Sequence, residues 1–232
     1  MLIGSGLLAK AFASKYAHRE DVCIYAAGVS NSSCVDTHEF ARERERLAAA
    51  LQQAKGSDVF VYFGTCSVSD PEARSTHYVQ HKLAMEQLVA THPHHLIVRL
   101  PQVAGRTSNP HTLLNYLYAK IARSEAFSLW KNASRNIIDV GDVAAIVDQL
   151  IEDKAARNIT MNIANPLSYP MTDIVRAMEH VVGKQAIYEV VERGSEYPID
   201  TSTMLPRLDM AKVRFGKDYL ERVIQKYYGG NP

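Results

Sequence analysis

Short apolar segments alternate with helical patterns along most of this chain, and the alternation limits its fold more than any other feature of the sequence. A strand pattern at residues 1–4 runs into a glycine turn and a helical pattern, and buried-strand patterns follow at 22–28 and 58–64. Strands separated by helices imply right-handed crossovers. The sequence therefore predicts an α/β protein with a Rossmann-like, doubly wound parallel sheet and a ligand crevice at the carboxyl ends of its strands. Further helices are predicted at about 38–55, 75–91, 111–124, 141–153 and 171–183, and further strands at 96–100 and 159–164.

The alternation becomes less regular after about Pro166, where prolines break the chain into shorter elements. We expect a Rossmann-like core at residues 1–165 and a small C-terminal substrate-binding lobe at 166–232, interleaved with the core.

Composition narrows the possible functions. The chain has 232 residues, of which 47% are hydrophobic and 22% charged, as in an ordinary globular protein. A formal net charge of +1 argues against nucleic-acid binding, and no apolar run is long enough to span a bilayer. Three widely spaced cysteines predict neither a disulfide framework nor a zinc site. His92, His94 and His95 could be a metal-binding tract, but a loop is the simpler interpretation. We expect a cytoplasmic protein without a metal, a nucleic-acid partner or a membrane partner.

Residues 4–9 form a G-x-G-x-x-A turn between a predicted strand and a predicted helix. Glycines in this context let a pyrophosphate approach the helix N-terminus. The acidic residue expected about 20 positions later to bind the adenosine ribose is missing, because the second strand pattern ends in Tyr25-Ala26-Ala27-Gly28. A purely structural turn is the alternative.

Tyr78 and Lys82 are four residues apart and therefore share one face of a predicted helix. A nearby ammonium favours the phenolate and so lowers the pKa of the tyrosine, which helps it to act as an acid or base at neutral pH. Such pairs also arise by chance on surface helices. Here the pair follows a strand ending near Thr65, at the edge of the sheet where ligands bind. His81 is expected on another face of the helix, at its surface. The charged run over residues 41–46 is expected to be a solvated helix face or an interface rim.

Taken in order, these motifs resemble the NAD-dependent epimerase/dehydratase family of the extended short-chain dehydrogenase/reductases, whose members act on nucleotide sugars. The resemblance covers nearly the whole chain. Its further segments are Val98-Arg99-Leu100-Pro101-Gln102-Val103-Ala104-Gly105, the segment from Arg135 through Asp139 to Asp142-Val143-Ala144, and Asn162-Ile163-Ala164.

The resemblance implies an NAD(P)-dependent oxidoreductase or epimerase acting on a nucleotide-linked sugar. In the mechanism it implies, Tyr78 exchanges a proton with the sugar, Thr65 hydrogen-bonds the same oxygen, and Lys82 holds the nicotinamide ribose and lowers the pKa of Tyr78. Gln102, Arg135 and Arg207 would bind the substrate. The residues expected to bind NAD or NADP are Gly4, Ser5, Gly6, Leu7, Leu8, Ala26, Ala27, Gly28, Tyr78, Lys82, Pro101 and Val103.

The chain departs from the family in two places. The interval from Gly6 to Ala27 is much shorter than the corresponding interval in the family. One βαβ portion, which normally holds the adenosine half of the dinucleotide, is therefore missing. Cys66 and Ser67 stand where sugar dehydratases carry an acidic pair, which disfavours dehydration. The shortened half motivates an alternative function, a non-catalytic binding or regulatory protein that has lost productive dinucleotide binding.

The resemblance also implies a homodimer. Family members commonly pair the helices that correspond to residues 38–55 and 75–92 across a two-fold axis. Leu47, Leu51, Leu83 and Leu88 would lie at its centre, with the charged run as a polar rim.

Overall fold

The computed structural model describes residues 1–154 and 156–230 and has eleven strands and eight α-helices among them. The strands are β1 (Leu2–Ile3), β2 (Val22–Tyr25), β3 (Val59–Thr65), β4 (His95–Leu100), β5 (Gln102–Ala104), β6 (Phe127–Trp130), β7 (Ser134–Arg135), β8 (Ile137–Asp139), β9 (Ile159–Asn162), β10 (Tyr169–Pro170) and β11 (Tyr188–Val191). The helices are α1 (Leu7–Tyr16), α2 (Thr37–Gln53), α3 (His77–Val89), α4 (Leu113–Ala122), α5 (Val140–Glu152), α6 (Met171–Val182), α7 (Leu208–Ala211) and α8 (Tyr219–Tyr228).

A five-stranded parallel sheet forms the centre of the molecule, in the order β1-β2-β3-β4-β9. Its strands are rich in β-branched residues because both faces are covered. Ile24, Val61, Leu96 and Ile159 lie side by side in one row across four strands. The predicted parallel α/β sheet is confirmed, and within the described residues no strand pairs with the outer edge of β1. This open edge is where the missing βαβ portion would lie.

Alternate residues of each strand enter cores on opposite faces of the sheet. On β2, Ile24 packs into the core that contains α1 and α5. Its neighbour Tyr25 packs into the core that contains α2 and α3. The sheet is therefore covered by helices on both faces.

The first two crossovers leave the sheet on opposite faces. β1, β2 and β3 are consecutive parallel neighbours, yet α1 packs on one face and α2 on the other. The β1-α1-β2 and β2-α2-β3 connections therefore have opposite hands, although parallel crossovers are almost always right-handed. Because the chain turns to opposite faces after β1 and after β2, a crevice opens between these two turns, although the strand order never reverses.

A second hydrophobic cluster packs α4, α6 and α8 together and includes Leu117, Val175 and Val223. Its residues come from both sides of position 165, so the chain enters it more than once. The division at residues 165 and 166 stays a prediction. Helix α8 was not predicted, although its buried Leu220, Val223 and Ile224 have helical spacing. Nearby prolines and glycines conceal that pattern.

Two of the leucines expected in a dimer interface are buried inside the subunit. Leu47 and Leu51 are 0% and 7% exposed, and both pack in the core between α2 and the sheet. Leu83 and Leu88 are half-buried. The outward face of α2 carries charged side chains instead, such as the ion pair between Arg42 and Glu39.

Across residues 1–154 and 156–230, no helix combines the length and the apolar character that a membrane span requires.

The two glycines of the turn after β1 differ in backbone conformation and in the space around them, and this difference can be tested. Gly4 has a φ of +132°, and a Cβ there would lie 2.3 Å from the carbonyl oxygen of Ala26. Gly6 has a φ of −78°, and a Cβ there meets nothing within 4 Å. We expect Gly4→Ala to lower the free energy of unfolding by about 2 kcal/mol or more through backbone strain and this clash. Gly6→Ala is the matched control and should unfold like the wild type. Denaturant titration of both variants is the measurement, and equal stability would contradict this account of the turn.

Candidate active site

A cavity of about 560 Å³ lies at the carboxyl ends of the first four strands of the sheet. The turn after β1, the loop after β2, the end of β3 and the segment after β4 form its walls. The predicted crevice and the cavity therefore coincide. Its volume is in the range of small-molecule sites.

Nearly all residues proposed from the sequence line this cavity, although they are spread over more than 130 positions of the chain. The exception is Arg207, which is treated below. The lining contains Thr65, Tyr78 and Lys82, the substrate candidates Gln102 and Arg135, and the cofactor candidates Gly4, Ser5, Gly6, Leu7, Leu8, Ala26, Ala27, Gly28, Pro101 and Val103.

The proposed catalytic residues meet on one wall. Thr65 ends β3, and its hydroxyl accepts a hydrogen bond from the Ser67 amide at 3.1 Å, which begins a short 3₁₀ turn. Tyr78 and Lys82 lie on the buried face of α3, whose first turn is capped by Thr76. The Tyr78 hydroxyl is hydrogen-bonded to Thr65, and Lys82 Nζ lies 5.9 Å from the centre of the Tyr78 ring.

The electrostatics of Tyr78 differ from the expectation. Burial raises the pKa of Tyr78, and the negative charge of Glu43 raises it further, while the hydrogen bond with Thr65 only partly opposes them. The expectation that Lys82 lowers the pKa of Tyr78 is therefore not met in this structure. At neutral pH the phenol is protonated.

Glu43 adds to the effect of burial on the pKa of Tyr78, and sequence analysis missed this residue. Its side chain is 2% exposed, and Oε1 accepts hydrogen bonds from Lys82 Nζ at 3.1 Å and from the Tyr62 hydroxyl at 3.0 Å. Oε2 accepts one from the Val29 amide at 2.6 Å and lies 3.0 Å from Nε2 of His81. The charge of Lys82 is thus directed at Glu43 rather than at Tyr78.

Two sequence interpretations need correction at this point. The charged run over residues 41–46 is exposed as expected except at Glu43, which is buried. His81 was expected at the helix surface, but its side chain is only 8% exposed and its ring stacks on Phe40 with centroids 4.5 Å apart. The His81 ring lies inward because it is a hydrogen-bond partner of the buried Glu43 carboxylate, which requires such partners.

Residue spacing was the available signal for this cluster. The buried positions of α2 and its C-cap fall at 43, 47, 50, 51 and 54, and those of α3 fall at 78, 79, 82, 85, 86 and 89. Both sets have the three-to-four-residue spacing of a buried helix face, and Glu43 and Lys82 occupy positions within them. A charged residue in an apolar stripe predicts a buried partner of opposite charge.

Glu43 stays ionised despite its burial. Burial alone would raise the pKa of Glu43, but the hydrogen bond from His81, the charge of Lys82 and the Val29 amide outweigh it and lower the pKa to about 2. Burial lowers the pKa of Lys82, and the nearby Glu43 carboxylate opposes that change.

The rest of the cavity favours anions. Its lining includes Arg46, Lys82 and Arg135, and within residues 1–154 and 156–230 no aspartate or glutamate lines it. The N-terminus of α1, with Gly6 as its N-cap, also faces the cavity and contributes a partial positive charge. The free space beside Gly6 lets a phosphate group approach the backbone closely.

The structure does not bring Arg207 into this cavity. Its guanidinium lies 3.4 Å from an Asp153 carboxylate oxygen and donates to the carbonyl oxygen of Thr203 at 2.7 Å. Arg99, from the segment matched to the family, also points elsewhere, because it forms a two-point ion pair with buried Glu86. In the part of the chain that the structure describes, no cluster of three His, Cys, Asp or Glu side chains could hold a metal ion.

The Glu43 cluster makes the free energy of unfolding depend on pH in the acidic range. The pKa of Glu43 falls from 4.5 to about 2 on folding, so its contribution is complete above pH 4.5 and is lost as the pH falls toward 2. We expect Glu43→Gln to be less stable than the wild type by about 3 kcal/mol at pH 7, because Lys82 is left buried without its partner. The difference should shrink between pH 4.5 and pH 2. Denaturant titrations at pH 7 and pH 3 measure it.

Glu39→Gln, one turn earlier on the surface of α2, is the matched control and should show no such difference. If Glu43→Gln is as stable as the wild type at pH 7, the carboxylate does not hold this cluster together.

Comparison with known proteins places the chain in a family. The family model described as NAD dependent epimerase/dehydratase matches residues 17–164, while the glycine turn at residues 4–9 precedes the matched region. No curated protein sequence matches the chain significantly.

Solved structures share the fold at low sequence identity. RMD from Pseudomonas aeruginosa, complexed with NADPH, has a TM-score of 0.73 at 14% identity, over 98% of this chain and 98% of its own. UDP-glucose 4-epimerase from Thermus thermophilus, complexed with NAD, has a TM-score of 0.71 at 14% identity, over 97% and 83%. UDP-glucuronic acid 4-epimerase from Bacillus cereus, complexed with UDP-glucuronic acid and NAD, has a TM-score of 0.69 at 18% identity, over 95% and 79%. With most of its length covered by the family model, the chain belongs to the NAD-dependent epimerase/dehydratase family.

Proposed function

We propose that this protein is an NAD(P)-dependent oxidoreductase or epimerase that acts on a nucleotide-linked sugar, with Tyr78 as its acid and base. One observation carries the proposal. Thr65, Tyr78 and Lys82 lie together on the wall of a cavity that also contains a glycine turn at a helix N-terminus and, among the described residues, is lined by no carboxylate. Family membership and structural neighbours bound to NAD, NADPH and a UDP-sugar support the same chemistry.

The cavity fits the pyrophosphate and nicotinamide portions of a dinucleotide better than the adenosine portion. Gly4, Ser5 and Gly6 would face the pyrophosphate, and Ala27, Pro101 and Val103 would line the nicotinamide end. The sheet ends at β1, so the strand that carries the ribose-binding acid in complete Rossmann folds has no counterpart. We therefore expect modest affinity for dinucleotides.

A bound nicotinamide would supply hydride transfer. Tyr78 is protonated at neutral pH, so its phenol is suited to donate a proton to the oxygen of a sugar carbonyl as that carbonyl is reduced. Thr65, already hydrogen-bonded to Tyr78, would hold the same oxygen. Lys82 would place its remaining N–H toward the nicotinamide ribose. In the reverse direction Tyr78 must lose its proton, which its raised pKa makes harder.

Gln102 and Arg135 are the candidates for the substrate. Arg135 lines the cavity, and its guanidinium donates to the carbonyl oxygen of the neighbouring Ser134 at 2.8 Å. It keeps other donors for a diphosphate, which a guanidinium can bind at two points.

Titration with NADH and NADPH tests the proposal most directly. Calorimetry should detect binding of at least one of the two, and Gly6→Ala should weaken that binding without changing stability. If millimolar concentrations of either dinucleotide give no heat, the enzyme proposal fails and a non-catalytic binding or regulatory protein takes its place.

Tyr78→Phe removes only the ionisable hydroxyl. We expect turnover with a nucleotide sugar to fall by roughly 10²- to 10⁴-fold, the usual contribution of acid–base catalysis, while folding and dinucleotide binding persist. Thr65→Val should have a milder effect. Steady-state kinetics on the purified variants measures both, and near-normal turnover of Tyr78→Phe would assign the proton transfer to another group.

Arg135 and Arg207 form a matched pair of test positions. We expect Arg135→Ala to raise the apparent KM for a nucleotide sugar about tenfold, because one charge-assisted contact with the diphosphate is lost. Dinucleotide affinity should change little. Arg207→Ala, outside the cavity, should leave both constants unchanged; the same rise in KM for both variants would argue against a direct contact by Arg135.

A homodimer and a cytoplasmic setting remain part of the proposal. All three cysteines are free, as a reducing compartment would keep them. The half-buried Leu83 and Leu88, rather than Leu47 and Leu51, are the leucines available for pairing of the outward faces of α2 and α3.

A further inference from the structure

We propose that Glu43 is a positioning residue, whose buried carboxylate holds the Lys82 ammonium at the cavity wall and ties it to the loop after β2. The functional part of this inference rests on the proposed function, since Lys82 matters to catalysis only if a dinucleotide binds there. The structural part does not depend on it.

The first support is the geometry around the ammonium. Lys82 Nζ lies 3.1 Å from Glu43 Oε1 and 3.3 Å from the Tyr62 hydroxyl, and these two contacts occupy two of its three N–H directions. Lys82 also lines the cavity. Its third N–H is therefore available to a ligand. Among the described residues, Glu43 is the carboxylate that contacts this ammonium, and Glu86 acts on it only from a greater distance.

The second support is the backbone packed over the ion pair. A Cβ added at Gly28 would lie 2.5 Å from Lys82 Nζ and 2.8 Å from Glu43 Oε1. Glu43 Oε2 accepts the amide of the next residue, Val29, at 2.6 Å. One carboxylate therefore holds both α3 and the adjoining loop after β2, both of which line the cavity, and only glycine at position 28 leaves room for this arrangement.

The third support is the composition of the cluster. Glu43 comes from α2, Lys82 and His81 from α3, Tyr62 from β3 and Val29 from the loop after β2, so four separate parts of the fold meet at one carboxylate. A helix-surface ion pair would not bring them together. The titratable and charged groups around Lys82 and Glu43 are Tyr25 on β2, Arg46 on α2, Tyr62 on β3, and Tyr78, His81 and Glu86 on α3.

The structural part is tested on the protein without ligand. Unfolding free energies are compared for the wild type, Glu43→Gln, Lys82→Met and the double variant. If the carboxylate acts on Lys82, each single variant leaves one buried charge unpaired, so the double variant should be more stable than either single variant. If Glu43 only supports the loop, the double variant will be no more stable than Glu43→Gln, which would overturn the inference.

Titration of Lys82 gives an independent readout where the variant folds. Protein labelled with ¹³C-lysine is followed by NMR as the pH rises, and the Lys82 signal is identified by its loss in Lys82→Met. We expect Glu43→Gln to lower the titration midpoint of Lys82 by about one pH unit or more, because its charged form loses its partner. Glu39→Gln is the matched control and should leave the midpoint unchanged. An unchanged midpoint in Glu43→Gln would refute the hold on Lys82.

The functional part is tested by kinetics in two backgrounds. We expect Glu43→Gln to lower kcat/KM about tenfold or more in the wild type but less than about twofold when Lys82 is already methionine. Equal losses in both backgrounds would show that Glu43 does not act through Lys82. If the wild type binds no dinucleotide, the proposed function fails, whereas the stability cycle and the titration still decide whether Glu43 holds Lys82.

Discussion

A carboxylate sealed away from water is stable only when donors surround it, and in this protein that requirement organises the site. Glu43 has two charged or chargeable partners and two neutral ones, and together they offset the loss of hydration. Because its partners come from a strand, a helix and a loop, a shift of any of these elements would cost the buried carboxylate a hydrogen-bond partner. The cavity wall that carries Tyr78 and Lys82 is therefore held in place by electrostatics as well as by the packing of its apolar neighbours.

The cavity itself follows from the path of the chain. After β1 the chain turns toward one face of the sheet, and after β2 it turns toward the other, so the two turns diverge. Complete Rossmann folds achieve this divergence by reversing the strand order. Here the order does not reverse, and the opposite hands of two successive crossovers have the same effect. A ligand crevice thus survives the loss of the βαβ portion that usually stands beside it.

Much of the site could be predicted from the sequence because the place of each motif relative to a strand or helix determines where its side chains lie. The turn at residues 4–9, Thr65 at a strand end and the Tyr78–Lys82 pair needed only the rule that parallel strands present their carboxyl ends at one edge. Glu43 was harder to recognise, since charged residues surround it in the sequence, although its spacing from Leu47 and Leu51 places it on the buried face of α2. Arg207 was chosen from a loose match, and nothing local to that segment indicates that its guanidinium would find Asp153 instead. Helix α8 has helical spacing at its buried positions, but it lies beyond the regular alternation, where prolines and glycines divide the chain into short elements.

The strand order has a consequence for how the protein is made. Each of β2, β3 and β4 pairs with the strand that precedes it in the chain, so each of these pairings needs only one helical crossover to close. A parallel pair still forms more slowly than a hairpin, because the crossover must be closed before the strands can meet. Strands β1 to β4 can therefore pair in the order in which a ribosome releases the chain. Strand β9 is released later and completes the far edge of the sheet.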